Sequence, residues 1–325
     1  MSANPDDFFR YATVSNGNSD DTTDYLKDVF TYLNYTFFTI QPNNYEVRVV
    51  RFCQQGRGSI LGSGFSSQFE IKLRCRTENQ DISSSSSTFR QTSQGPMIFL
   101  TVNTMVSMGL VRQEVCSFSV DKINQKMTEK ITDCVNGIGL TGIGSQNNRN
   151  LCPTHFTSPQ RQQIINDQCV LFSYLLRGIE VDDVFTRTPL ITKTNQIKEF
   201  TSLLATPLDN QLFLFAGTSS GDVLQYHVTD EGGSALVRTI PVDRVGVVKM
   251  LSSDNGEYIY TMSMNTVHRH TVDMCGSYSS CDNCTSSPDP VCGWCVLQGR
   301  CTRQSLCPSV PYNNGVQQTV WVQVS

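Results

Sequence analysis

Long apolar runs are missing from this sequence. The longest are short pieces such as Met97-Ile98-Phe99-Leu100 and Leu212-Phe213-Leu214-Phe215-Ala216. A membrane-crossing helix needs about 20 consecutive apolar residues, so no direct membrane insertion is encoded here. A basic surplus is missing as well. Lys and Arg number 25 against 29 Asp and Glu, a net charge of −4, and no basic stripe of the kind that neutralises phosphates is present, which argues against a nucleic-acid partner. The first residues, Met1-Ser-Ala-Asn-Pro-Asp-Asp-Phe-Phe-Arg10, have neither a basic n-region nor an apolar h-region, so they do not read as a secretory leader. Good helix formers are thinly spread, because Ser, Thr, Asn and Gly interrupt most segments. Intrinsic disorder is excluded in turn, since 38% of the residues are apolar.

What the sequence has is cysteine: 13 in 325 residues, an odd number. That density points to an oxidising compartment and a disulfide framework. Disulfide chemistry without a leader reads as a fragment or an incomplete gene model. Six cysteines are spread out (Cys53, Cys75, Cys116, Cys134, Cys152, Cys169) and seven crowd the end (Cys275, Cys281, Cys284, Cys292, Cys295, Cys301, Cys307). The stretch between them divides the chain into a large region, 1–274, and a small cysteine-rich one, 275–325.

The large region reads as strands. Tyr45–Phe52 and Ser67–Arg74 alternate and carry β-branched residues, and Met97–Asn103 and Glu114–Val120 are further candidates. Ser119–Thr132 and Pro159–Asp167 are the best short helices. Between residues 200 and 272, strand, turn and strand recur: Leu212–Thr218, Ser-Ser-Gly, Asp222–Val228, and later Asp254-Asn-Gly, Glu257–Ser263, Thr266–Val272. The turn residues tolerate positive φ. Leu212 and Tyr258 stand 46 residues apart, a spacing that fits propeller blades. The serine run Ser83–Ser87 and the glycine-rich stretch Gly137–Gly144 read as loops.

Cys-x-x-Cys occurs twice, at Cys281/Cys284 and Cys292/Cys295. It can hold zinc or enter disulfides, and the short spacer and three flanking cysteines favour disulfides. Gly137-x-Gly139-x-x-Gly142 neither follows a clear strand nor opens a helix, so it reads as a loop and not as a dinucleotide site. Of the histidines (His155, His227, His268, His270), the last two alternate on one strand face, which reads as exposed. Asp20-Asp21 and Asp182-Asp183 read as solvated loop charges. No triad can be assembled, and oxidised cysteines are not nucleophiles. No catalytic residue, metal or cofactor is therefore assigned. Two sequons, Asn34-Tyr-Thr36 and Asn283-Cys-Thr285, are glycosylation candidates, the second inside a cysteine knot.

Several of these features resemble one family. Cys275-x5-Cys281-x2-Cys284, Ser287-Pro-Asp-Pro-Val-Cys-Gly-Trp-Cys295, Cys301 and Cys307 resemble the PSI domain of plexins. Val115-Cys-Ser-Phe-Ser-Val-Asp-Lys-Ile-Asn124 with Cys134-x-x-Gly-x-Gly139, and Phe215-Ala-Gly-Thr-Ser-Ser-Gly221, resemble plexin sema-domain segments. The resemblance runs from about residue 40 to the C-terminus. It implies an all-β fold, about four later blades of a seven-bladed sema-type propeller followed by a small disulfide-rich PSI domain. By the family's connectivity it pairs Cys53 with Cys169, Cys75 with Cys116, Cys134 with Cys152, Cys275 with Cys292, Cys284 with Cys301, and Cys295 with Cys307. Cys281 is left unpaired, because Trp321 stands where the family has an eighth PSI cysteine.

The implied function is the ectodomain portion of a cell-surface receptor. By the resemblance it is expected to bind semaphorin-type protein ligands on the extracellular side of the plasma membrane, without catalysis or cofactor, and to be able to form a homo-oligomer through the sema domain. A receptor of the hepatocyte growth factor type and a semaphorin ligand share both domains. A propeller enzyme would need a polar catalytic cluster.

Overall fold

The computed structural model describes residues 25–53, 69–76, 82–107, 109–141, 150–152, 156–168, 179–196, 198–229, 232–312 and 316–323. Cys169, His155, Asp20-Asp21 and Gly142 lie outside them. The chain folds as two compact units, residues 1–89, 95–98 and 116–189, and residues 90–94, 99–115 and 190–325.

The first sheet, in the first unit, holds β1 (Tyr25–Tyr32), β2 (Tyr35–Asn43), β3 (Glu46–Cys53), β4 (Phe69–Arg74) and, parallel to β4, β10 (Ile179–Thr186). Its central strand β3 is buried on both faces. Val47, Val49 and Arg51 point one way; Arg48 and Val50 are buried on the other. A second sheet has the order β11-β7-β6-β5, from β5 (Ile82–Thr92), β6 (Gly95–Ser107), β7 (Leu110–Ser119) and β11 (Ile191–Gln196). The short ribbon β8 (Leu140–Thr141) and β9 (Asn150–Leu151) follows helix α1 (Val120–Val135), and helix α2 (Ser158–Asn166) comes after it.

The helices sit where their capping chemistry puts them. Ser119 caps α1 through the Lys122 N–H, and Ile123, Met127, Ile131 and Cys134 make one buried stripe at helical spacing. For α2, Gln160 Oε1 accepts the Thr157 N–H at 2.9 Å, with Pro159 in the first turn. Gly137, at φ 79°, follows α1, and its N–H donates to the Cys134 carbonyl at 2.9 Å. The glycine-rich stretch thus closes a helix rather than opening one.

Two loop readings are corrected. The serine run is part of β5, where Ser85 and Ser87 are buried in alternation and Ser85 Oγ donates to Gln41 Oε1 at 2.9 Å. Ladder pairing and a polar partner for a short hydroxyl outweigh serine's weak strand preference. Asp182 and Asp183 lie within β10, where its register against β4 shifts between Val181 and Val184. They sit at a bulge in a strand, not in a loop.

The third sheet is a four-strand meander, β12 (Phe200–Leu208), β13 (Gln211–Thr218), β14 (Asp222–Val228) and β15 (Ser234–Pro241). The fourth has three strands among the described residues, β16 (Lys249–Ser252), β17 (Tyr258–Met262) and β18 (Val267–Thr271). Asp209-Asn210 turns into β13 as Asp254-Asn255-Gly256 turns into β17. The second turn is the longer: Leu208 pairs with Gln211, whereas Ser252 pairs with Ile259, so the two hairpins do not share one residue spacing. Phe213 and Phe215 of the third sheet meet Met250 and Ile259 of the fourth in one core. Each fully buried Phe there contributes about 1.5–3 kcal/mol.

His268 and His270 are half-buried, opposite Thr261 and Ile259, on the face that carries this core. Their Nε2 atoms lie 3.1 Å from Thr266 Oγ1 and 3.1 Å from Thr261 Oγ1, respectively. The exposed face of β18 carries Val267, Arg269 and Thr271 instead.

The C-terminal region holds helix α3 (Cys281–Thr285) and a small sheet of order β20-β19-β23, from β19 (Cys292–Cys295), β20 (Arg300–Arg303) and β23 (Trp321–Val322). The hairpin β21 (Ser309–Tyr312) and β22 (Val316–Thr319) completes it.

The two signature turns depend on glycine. Gly221 (φ 85°) and Gly256 (φ 71°) adopt left-handed backbone, and a methyl group would meet the Asp243 carbonyl at Gly221 and the Pro207 carbonyl at Gly256. Gly221→Ala and Gly256→Ala are each expected to lower stability by about 1–3 kcal/mol, read as a shift in the urea midpoint at unchanged slope. An unchanged midpoint would refute the turn assignment.

Candidate functional site

Three side-chain systems lock the domains of this chain: the disulfides, a buried arginine in each unit, and a carboxylate at the start of the cysteine-rich region. Cys75 is joined to Cys116 and Cys134 to Cys152, with Cα separations of 5.7 and 5.0 Å. Cys53 is disulfide-bonded as well; Cys169, its expected partner, lies outside the described residues. In the tail, Cys275 is joined to Cys292, Cys284 to Cys301 and Cys295 to Cys307, with Cα separations of 5.2, 5.6 and 5.6 Å. These are ordinary disulfide spacings. The sulfurs of Cys275, Cys292 and Cys301 lie within 4.8 Å of one another because two disulfides stack. Bonded sulfurs carry no thiolate, so that cluster is not a zinc site.

Cys281, exposed in α3, is the free cysteine among the described residues. Trp321 has taken up a different task. It pairs with Cys295 on β19, its indole lies on Gly293 where any Cβ would collide with it, and its Nε1 donates to the Thr302 carbonyl at 2.9 Å. The glycine of Cys-Gly-Trp-Cys is thus the seat of an aromatic ring.

The region from Cys275 onward is fixed to the fourth sheet by charge. Arg303, the last residue of β20, has a side chain only 7% exposed. Its Nη2 donates to Glu257 Oε1 at 2.6 Å and its Nη1 lies 3.6 Å from Asp209 Oδ1. Its Nε stands 3.3 Å from Asp273 Oδ2, at ion-pair distance but out of hydrogen-bond alignment. The three carboxylates come from the turn before β13, the turn before β17 and the segment after β18. One guanidinium therefore reads two sheets and the linker together. Ser305 Oγ adds a hydrogen bond to Asp209 Oδ2 at 2.7 Å. Arg303 also holds the Glu257 carboxyl below the usual range, by hydrogen bond and charge.

Asp289 works from beneath. It is fully buried. Its Oδ2 accepts the Met274 N–H at 2.8 Å and its Oδ1 the Val291 N–H at 3.2 Å. Val291 itself belongs to the core of the third and fourth sheets. Burial pushes the Asp289 carboxyl up to about 6; the two N–H groups and Arg238 oppose the shift, and Asp273 adds to it.

In the first unit, Arg51 is fully buried, with its guanidinium 4.1 Å over the Tyr35 ring and 4.8 Å over the Phe69 ring. It donates to Gln168 Oε1 at 2.9 Å and to Asn124 Oδ1. Burial lowers its pKa to about 10. It links β3, α1 and the residue before Cys169. The sequence reading missed Arg51, Arg303 and the role of Asp289. Only Asp289 carried a signal, since it sits inside the Pro-Asp-Pro-x-Cys run.

Comparison with known proteins places this architecture. The Sema domain family model matches residues 80–254, more than half of the chain, and the Plexin repeat model (PSI) matches residues 274–324. The chain belongs to the Sema domain family and is plexin-like. Human Plexin-A4 is 31% identical to it over 197 residues, which cover 59% of this chain and 10% of that protein. This plexin-like chain therefore spans about a tenth of that relative's length. Among solved structures, the full extracellular region of Plexin A4 superposes with a TM-score of 0.70 at 22% identity, over 87% of this chain and 30% of that one. Drosophila Plexin A in complex with Semaphorin 1b superposes at 0.63 and 16% identity, over 93% and 65%. The fold is accordingly all-β, a sema-type propeller segment with a disulfide-rich PSI region. Among the described residues, no helix is long and apolar enough to cross a membrane.

Removing Arg303 leaves three carboxylates facing one another. The Arg303→Ala variant is expected to lose about 2–3 kcal/mol, less than for a fully buried pair because its partners are partly exposed. Urea denaturation reads this, and a loss below about 0.5 kcal/mol would dismiss the junction as a surface pair.

Asp289 binds its proton more tightly folded than unfolded, where a carboxyl titrates near 3.9. Its ionisation therefore opposes folding. Its contribution to stability is full below pH 4 and is lost as pH rises through about 6. Carbon-13 titration of the Asp289 carboxyl is expected to show a midpoint near 6, and one below 4 would contradict the burial.

Proposed function

We propose that this chain is a ligand-binding part of a plexin-like receptor ectodomain. It acts by protein–protein recognition on the extracellular face of the plasma membrane and takes semaphorin-type ligands through its sema sheets. The observation that carries this reading is the Sema match running on into a Plexin repeat, supported by identity to a plexin over 197 residues. Drosophila Plexin A is known in complex with Semaphorin 1b, and the same pairing of folds is extended to this chain.

The physical logic is that of a rigid scaffold. Stacked sheets with covalent cross-links hold surface turns in fixed positions, and such turns can vary without disturbing the core. No catalysis, metal or cofactor enters the proposal, and no ligand-contact residue is assigned. Large-domain and PSI limits at 1–274 and 275–325 belong to it, as does a homo-oligomer formed through the sema portion.

Cells displaying the chain on their surface are expected to bind at least one soluble semaphorin ectodomain saturably, with Kd in the micromolar range or tighter. Absence of saturable binding across a panel of semaphorins, for a displayed chain with its disulfides formed, would overturn the receptor reading. Light scattering of the purified chain reads the oligomer.

A further inference from the structure

Two Asn-x-Thr tripeptides have no part in ligand binding as proposed, and the fold treats them differently. We infer that Asn34 carries an N-linked oligosaccharide and Asn283 does not; this rests on the exported reading of the chain.

Asn34 stands at the apex of the hairpin between β1 and β2. Tyr32 pairs with Tyr35, so Leu33 and Asn34 alone make the turn. Leu33 takes a left-handed φ of 53°, and both residues are exposed, Leu33 by 63%. From Asn34 the tripeptide leaves the turn directly into extended backbone, with Thr36 paired to Thr31 and Phe52. A transferase that must seat an asparagine amide and a threonine hydroxyl two residues on meets here an open, non-helical segment.

Asn283 is wound into α3. Its N–H donates to Ser280 Oγ at 3.3 Å, and the Thr285 hydroxyl is turned back onto the Cys281 carbonyl at 3.0 Å. The middle residue, Cys284, is buried and bonded to Cys301, 17 residues on. The hydroxyl is thus occupied and the backbone is helical, inside a knot with short closure distances.

The step is an ordinary group transfer. The Asn34 amide nitrogen attacks the anomeric carbon of an oligosaccharide carried on a lipid diphosphate. The carbon–nitrogen bond forms, the carbon–oxygen bond to diphosphate breaks with its electron pair leaving on the lipid diphosphate, and one amide proton passes to solvent. No oxidant or reductant is involved.

The position also gives the sugar a physical role. Among the described residues β1 is an edge strand of the first sheet, with Val29 exposed on it and Leu33 exposed in the turn at its end. A hydrated oligosaccharide at the end of an edge strand obstructs pairing with another chain.

The test directs the whole chain, with an added leader, into the endoplasmic reticulum of a eukaryotic host. Secreted and retained chains are pooled, and amide-cleaving deglycosylation in oxygen-18 water converts each glycosylated Asn to a heavy Asp. Peptide mass mapping is expected to mark Asn34 in most molecules and to leave Asn283 unmarked. Asn34→Gln is expected to remove one glycan from the intact mass and raise the aggregated fraction severalfold, and Asn283→Gln to leave the mass of the glycan unchanged. Unmarked Asn34, or Asn283 marked to a similar degree, would overturn the inference. Thiol counting on the same pool separates the two readings. Disulfides formed with Asn34 bare defeats the inference alone; free thiols throughout with Asn34 marked defeats the disulfide reading and leaves the inference standing.

Discussion

The lock between a single guanidinium and three carboxylates determines how the parts from residue 190 onward become one body. Without Arg303, Asp209, Glu257 and Asp273 would face one another across a narrow gap. With it, two sheet turns and the linker close on the cysteine-rich region. Arginine suits the task because its planar fork can address several acceptors and keep its charge while largely buried. Asp289 complements it from inside the small region, satisfying the Met274 and Val291 N–H groups that would otherwise be buried without acceptors. Specific direction thus comes from polar contacts, and most of the energy from the Phe213, Phe215, Met250 and Ile259 core beside them.

The disulfides do something different. They restrict the unfolded chain, and each of the tail bridges closes a short loop. A cysteine-rich region of this size has too little apolar volume to stand by packing alone. It leans on bridges within and on the sheet core without, through Val291.

Much of this was legible in the sequence. Alternating apolar residues gave β3 and β4 to within two residues and the inner parts of β6 and β7, and the two short helical candidates fell on α1 and α2. Cysteine spacing drew attention to the tail, while the pairings came with the family resemblance. What sequence could not carry was which face of each strand is covered. The His268 and His270 face depends on what packs against it, and a period-2 pattern has the same form either way up. The buried serines of β5 escaped notice for a similar reason, since their burial is set by neighbouring strands and by Gln41. Arg51 and Arg303 look like any surface arginine until the acceptors from distant segments are assembled around them.

Trp321 on Gly293 has a mechanical consequence. A disulfide at that place would make the last strand part of a covalent girdle. The indole and the two-residue ladder of β23 hold it instead, with the Gln323 side chain donating to the Pro290 carbonyl at 2.6 Å. Tension applied from the C-terminal side meets this soft link before it meets any cross-link. A pull on the last strand would therefore be borne first by hydrogen bonds and one aromatic seat, with Cys295–Cys307 behind them.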